Sequence, residues 1–157
     1  MPFDRELVEA RMALNLITTD DMPKLAWDAL ESGLDGPAIR CLAALVQPTW
    51  SQVEEVRANA MKEMKLANLT VSDAACRFAR WRAHEILQSG EDPLRYTREF
   101  EQLWIRSRYS REMRVFGTLD DEVNVARHMG RSEMEIRQWL IQRLRDSIAA
   151  SPTASSQ

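Results

Sequence analysis

The sequence predicts an all-α protein, and three features carry this prediction. Helix-capping patterns recur along the chain, apolar residues repeat at helical spacing, and the glycines and most prolines fall between the periodic segments. The stretch from Thr70 to Ser89 is apolar around more than half of its helical circumference, a wider arc than a surface helix carries. We therefore expect a single helical domain over residues 1–150, with seven or eight helices around this central helix, and a disordered tail at 151–157.

Four helices are predicted before the central one. Gly33 is suited to end the second of them in a left-handed conformation, and Pro37 is suited to the first position of the third. The four are expected from Phe3 to Leu16, from a Thr18 and Asp21 cap to Ser32, from Pro37 through a short apolar run, and from a Ser51 and Glu54 cap to about Lys65.

Three helices are predicted after the central helix, with a segment between the first and the second for which no structure is predicted. Asp92 should cap a helix with apolar residues from Leu94 to Ile105, whereas residues 106–117 show no clear period. Thr118 with Asp121 should begin a short helix that ends at Gly130, and Ser132 with Glu135 should begin the last helix.

We expect a soluble cytoplasmic protein. Its 157 residues suffice for one domain with a core of its own. The two cysteines, Cys41 and Cys76, lie in apolar helical patterns and are expected to be small buried thiols in a reducing compartment. The start of the chain lacks a basic segment followed by an apolar run, and no segment is apolar for long enough to cross a bilayer.

Charge is distributed unevenly. Residues 1–75 carry 7 basic and 12 acidic side chains, whereas residues 76–157 carry 14 basic and 12 acidic ones. All the basic side chains of the second half are arginines, so an anionic partner is expected to meet that half. The predicted binding residues are Arg106, Arg108, Arg111, Arg114, Arg131 and Arg137.

Sequence signatures of catalysis are missing. The two histidines, His84 and His128, have no second metal ligand at helical spacing, and there is no glycine-rich phosphate loop or nucleophile elbow. We expect no catalytic residues, no metal and no cofactor. Arg82 and Glu85 are the exception, because they interrupt the apolar arc of the central helix at neighbouring positions. We expect the two to form a buried pair, to bond to a neighbouring helix, or to reach solvent at an edge.

The stretch from Glu122 to Leu140 resembles the helix-turn-helix of DNA-binding proteins. Ala126, Gly130 and Ile136 match the small residue, glycine and aliphatic residue that fix the angle between the two helices of that motif, and Val125, Met129 and Trp139 fill further apolar positions. Two features depart from the motif. Arg131 stands where an apolar residue is common, and acidic residues open the helix that would read DNA, at Glu133 and Glu135.

A second resemblance covers more of the chain. The run LAWDALESGLDGPAIRCLAALVQPT, the joint from Gly90 to Pro93 and the segment FGTLDDEV are similar to small all-helical bacterial proteins of unassigned function. This likeness implies a bacterial, cytoplasmic origin. It implies no activity, because it supplies no catalytic residues.

These observations predict a protein that acts by binding rather than by catalysis. The leading interpretation is a module for protein–protein interaction, of which an immunity or antitoxin-like inhibitor of another protein is one form. The alternative is a helix-turn-helix regulator that binds DNA through residues 122–140. A third is an enzyme that uses the Arg82 and Glu85 pair.

Overall fold

The computed structural model describes residues 3–150, and all regular structure in this range is helical. The all-α prediction is confirmed. Nine α-helices occur in the described range, of which one is a single turn, so the count of full helices agrees with the seven or eight expected. The predicted tail at 151–157 lies outside the described residues. No helix in the described range is long and apolar enough to span a membrane.

The contacts of the chain divide it into two compact units, Met1–Thr70 and Val71–Gln157. The first unit contains four helices, and α3 packs against both α2 and α4. These helices are α1 (Arg5–Ala13), α2 (Met22–Glu31), α3 (Pro37–Ala43) and α4 (Trp50–Glu63). Their buried apolar side chains include Val8, Leu25, Ile39, Leu42, Val53 and Met64, so this unit has a core that does not use the Thr70 to Ser89 stretch.

A carboxylate from α4 caps the first turn of α3. The backbone N–H groups of Ala38 and Ile39 donate to Glu63 at 3.2 and 2.9 Å. These donors would otherwise lack partners at the start of the helix, where negative charge is also favoured. Gly36 makes room for this contact, because a Cβ at that position would collide with the carboxyl end of Glu63. Glu63 therefore ties two helices of the first unit together.

The second unit begins with the longest helix of the described chain, α5 (Val71–Ser89), against which α6 and α9 pack. The remaining helices are a 3-10 turn (Pro93–Arg95), α6 (Thr97–Arg106), α7 (Arg114–Gly117), α8 (Leu119–His128) and α9 (Glu133–Ala149). Buried side chains from all five α-helices form the interior, including Phe78, Phe100, Leu103, Phe116, Leu119, Val123, Ile136, Leu140 and Leu144. The predicted helix at 70–89 is thus present and is central to this unit.

The predicted caps formed at some helix starts and not at others. Asp92 accepts from the backbone N–H of Leu94, although it begins the 3-10 turn before α6 rather than α6 itself. Ser132 and Glu135 form the complete capping box of α9. The box of α4 lies two residues earlier than predicted and uses Thr49 with Gln52. The backbone N–H of Thr18 donates to Asp21 as predicted, but α2 begins later, at Met22. The Thr118 side chain makes no cap bond to α8.

Candidate functional site

Arg82 and Glu85 do not pair with each other, and Arg82 takes the other predicted arrangement, a bond to a neighbouring helix. The Nε of Arg82 bonds instead to Glu99 of α6, at 3.1 Å, and the side chains of Arg82 and Glu99 are 27% and 32% exposed. The Arg82 guanidinium also lies over three aromatic rings, those of Phe78, Trp81 and Tyr96, at 5.5, 4.9 and 5.5 Å. Cation–π contacts and a half-buried ion pair account for an arginine within an apolar arc. Its place in the structure is that of a link between α5 and α6.

The predicted helix, turn and helix at 122–140 are present as α8, a turn at 129–132 and α9. Gly130 has φ of +80°, the left-handed conformation that a glycine adopts without steric penalty at the end of a helix. Ala126 and Ile136 are 8% and 0% exposed, so the small and aliphatic residues of the motif both face the interior. The order of elements and the burial of these two residues therefore agree with the resemblance.

Two apolar residues of this motif lie on the surface, contrary to prediction. Val125 is 57% exposed and Met129 is 74% exposed, although both had been expected to fill interior positions. They line an open groove of about 320 Å³ between α8 and α9. The remaining lining residues are Ala126 and Trp139, with Asp121, Glu122 and Arg131 as the charged ones. We call this the α8–α9 groove.

Sequence reasoning missed this groove for a physical reason. Apolar side chains of α8 and its C-cap residue occur at Leu119, Val123, Val125, Ala126 and Met129, which together cover more of the helix circumference than one buried face needs. Leu119, Val123 and Ala126 are buried. Val125 and Met129 are one turn apart, so they form a separate apolar strip on the outer side. The signal was the excess width of the apolar arc.

The predicted binding arginines do not form one cluster. Arg137 bonds to Asp92 at 3.0 Å, and Arg131 is exposed beside the α8–α9 groove. Arg106 and Arg108 are exposed and line none of the clefts described here. Arg111 and Arg114 are brought together with an arginine that the sequence did not single out, Arg143 of α9.

These three arginines line an open cleft of about 590 Å³, which we call the basic cleft. Val115, Thr118 and Glu122 complete its lining. Arg143 is held in place by Glu122, with Nη2 at 3.2 and 3.4 Å from the two carboxylate oxygens, and its guanidinium lies 5.8 Å from the centre of the Trp139 ring. Glu122 lines both the basic cleft and the α8–α9 groove, so the two are adjacent on one face of the second unit.

The two cysteines and the two histidines lie in surroundings that do not activate them for catalysis or metal binding. Burial raises the pKa of the Cys76 thiol, which keeps it protonated and unreactive at neutral pH. Cys41 is exposed, so the prediction of a buried thiol was wrong there. His84 and His128 contact Gln88 and the carbonyl oxygen of Asn124. Across residues 3–150, no three His, Cys, Asp or Glu side chains are grouped to hold a metal ion.

Comparison with known proteins found no relative that bears on the function. No family model matches the chain, and neither the curated proteins nor the solved structures contain a match to it.

Proposed function

We propose that this protein acts by binding another protein, with an amphipathic helix of the partner lying on the α8–α9 groove. The observation that carries the proposal is the strip of Val125 and Met129, exposed at 57% and 74% beside the Trp139 ring. Exposed apolar area that lies next to charged residues is typical of interaction surfaces. Burial of such area on a partner contributes about 25 cal/mol per Å² of free energy.

The size and charge of the groove favour a helix with apolar anchors. A volume of about 320 Å³ is at the lower end of ligand pockets, which suits one or two apolar side chains inserted from a partner. Asp121 and Glu122 lie on the groove together with Arg131, so its charged residues are of both signs. A partner helix with complementary charges beside its apolar anchors would meet both signs, which would set its orientation.

An immunity or antitoxin-like inhibitor remains one form of this proposal. Its support is the acidic balance of residues 1–75, which suits a protein that covers a basic surface of its target. The same proposal holds for any partner with an apolar amphipathic helix.

Photo-crosslinking tests the groove directly. With a photoreactive phenylalanine at position 125 or 129, we expect one crosslinked partner, whereas the same group at Val46, an apolar residue of the first unit that is 87% exposed, should not capture it. With the purified partner, Val125→Asp and Met129→Asp should each weaken binding at least about tenfold, as changes at central interface residues do. Val46→Asp is the matched control.

Equal binding by the variants and the parent would contradict this proposal. All three variants change exposed side chains, so each should keep the circular dichroism spectrum of the parent. A partner that binds Val125→Asp, Met129→Asp and the parent with equal affinity would place its contact elsewhere on the chain.

DNA binding is the second candidate, because residues 122–140 form a helix, a glycine turn and a second helix in the order of the DNA-binding motif. The charges oppose it. Arg127 pairs with Glu133 at 2.7 Å, which lowers the pKa of that carboxyl. The backbone N–H of Ser132 likewise lowers the pKa of Glu135. Both carboxylates are therefore ionised at neutral pH, at the end of α9 that would approach the phosphates.

A titration with duplex DNA separates the two candidates. We expect no sub-micromolar complex with mixed genomic fragments at low salt. Arg137 is already paired with Asp92, so of Arg131 and Arg137 only Arg131 is left to contact a phosphate. A tight complex that weakens steeply with salt, and that is lost in Arg131→Glu with Arg137→Glu, would instead favour the DNA-binding function.

A further inference from the structure

We propose that the basic cleft is a binding site for a phosphate monoester. This site is distinct from the α8–α9 groove, and the proposal holds whether or not a protein binds there. It rests on the convergence of Arg111, Arg114 and Arg143 from two separate parts of the second unit on one cleft.

The charges in the cleft are unbalanced. Arg111 and Arg114 are exposed, and neither forms an ion pair with any residue between 3 and 150. Glu122 is the one carboxylate in the lining, and it is already bonded to Arg143 and to the Thr118 hydroxyl. Three guanidinium groups against one carboxylate leave an excess of two positive charges, which repel one another until an anion enters.

Arg143 is positioned before any ligand arrives. Its contacts with Glu122 and with the Trp139 ring restrain the guanidinium, so little side-chain freedom remains to be lost on binding. Among the described residues its Nε is buried and has no hydrogen-bond partner. Because the Nε is buried, Arg143 offers a ligand in the cleft the rest of its guanidinium group and its charge.

The excess charge indicates which anion fits. A phosphate monoester carries between −1.5 and −2 at neutral pH, and its oxygens accept the paired N–H groups of arginine. A phosphodiester, as in a nucleic-acid backbone, carries a single charge and leaves part of the excess uncompensated. The cleft should therefore prefer the monoester to the diester.

Methyl phosphate and dimethyl phosphate are the probes that test this preference. We expect methyl phosphate to shift the backbone amide resonances of residues 111–118 in a saturable way, with a Kd of about 1 mM or tighter. Dimethyl phosphate should bind at least about tenfold more weakly, as should methyl phosphate to Arg111→Ala and Arg114→Ala. Arg145→Ala removes the same charge from an exposed residue of α9 outside the cleft, so it should bind like the parent.

Arg143 needs a conservative variant, because its loss would also remove the contacts with Glu122 and Trp139. Arg143→Lys keeps the charge but loses the planar guanidinium, which can donate two N–H groups to one phosphate, so we expect weaker binding with an unchanged circular dichroism spectrum. The proposal is overturned if methyl phosphate gives no saturable shift. It is overturned equally if Arg111→Ala, Arg114→Ala and Arg145→Ala all bind as the parent does.

Two further ligands distinguish the sources of a phosphate monoester. N-acetyl phosphoserine amide represents a phosphorylated side chain, and ribose 5-phosphate represents a free sugar phosphate. The one that binds more tightly than methyl phosphate identifies the source, and equal affinities mean that the cleft recognises the phosphate group alone.

Discussion

Phe100→Ala is expected to lower the free energy of unfolding by about 3–5 kcal/mol, the range of large-to-small changes in protein cores. Phe100 is 1% exposed, and its ring stacks on that of Phe116 with the centroids 5.3 Å apart. The change removes the buried ring and leaves a cavity that α6 and α7 can fill only partly. Urea unfolding followed by circular dichroism measures the loss.

The control for Phe100→Ala is a change at an apolar residue that water already reaches. Val125→Ala alters a side chain that is 57% exposed, so it should change the stability by no more than about 0.5 kcal/mol. If Phe100→Ala cost less than about 1 kcal/mol, the Phe100 ring could not be part of the buried core of the second unit.

The positions of the helices could be predicted from the sequence more reliably than their first residues. Thr49 with Gln52 and Ser51 with Glu54 both fit the capping-box pattern, and the earlier pair forms the cap. Thr49 follows Pro48, which cannot supply a backbone donor, and it adopts an extended conformation with ψ of 156°. The first suitable cap after the proline begins this helix, and the capping-box pattern by itself does not say which of the two pairs is used.

The segment that showed no period, residues 106–117, owes its order to contacts rather than to periodicity. The indole N–H of Trp104 donates to the carbonyl oxygen of Ser110 at 3.1 Å, and its ring meets that of Tyr109 edge-on at 5.1 Å. Arg108 and Tyr109 both have positive φ, of 56° and 59°, which non-glycine residues seldom adopt. No repeat of apolar residues encodes such a turn.

The basic cleft could be predicted only in part. Arg111 and Arg114 stood out because they are close in sequence and have few acidic neighbours. Arg143 did not, since it lies some thirty residues away on a helix with charges of both signs. The three meet because α7 packs against α9, a tertiary contact that local spacing does not reveal.

The last prediction concerns Gly117, the last residue of α7. Gly117 ends α7 against Trp104, and a Cβ placed on it would lie 2.5 Å from the Trp104 Cβ and closer still to the indole ring. Helix propensity alone predicts that Gly117→Ala stabilises the protein by up to about 1 kcal/mol. We expect the opposite sign, a loss of about 2–3 kcal/mol, because α6 and α7 must separate to admit the methyl group.

The sign of this change and its effect on the basic cleft can both be measured. Gly33→Ala is the control, since its added Cβ meets no atom within 4 Å and its cost comes from φ of +90° alone, about 1–2 kcal/mol. Because Trp104 holds the turn that leads to Arg111 and Arg114, Gly117→Ala should also weaken methyl phosphate binding, whereas Gly33→Ala should not. A Gly117→Ala protein as stable as the parent, or more stable, would mean that α6 and α7 are not in contact at this glycine.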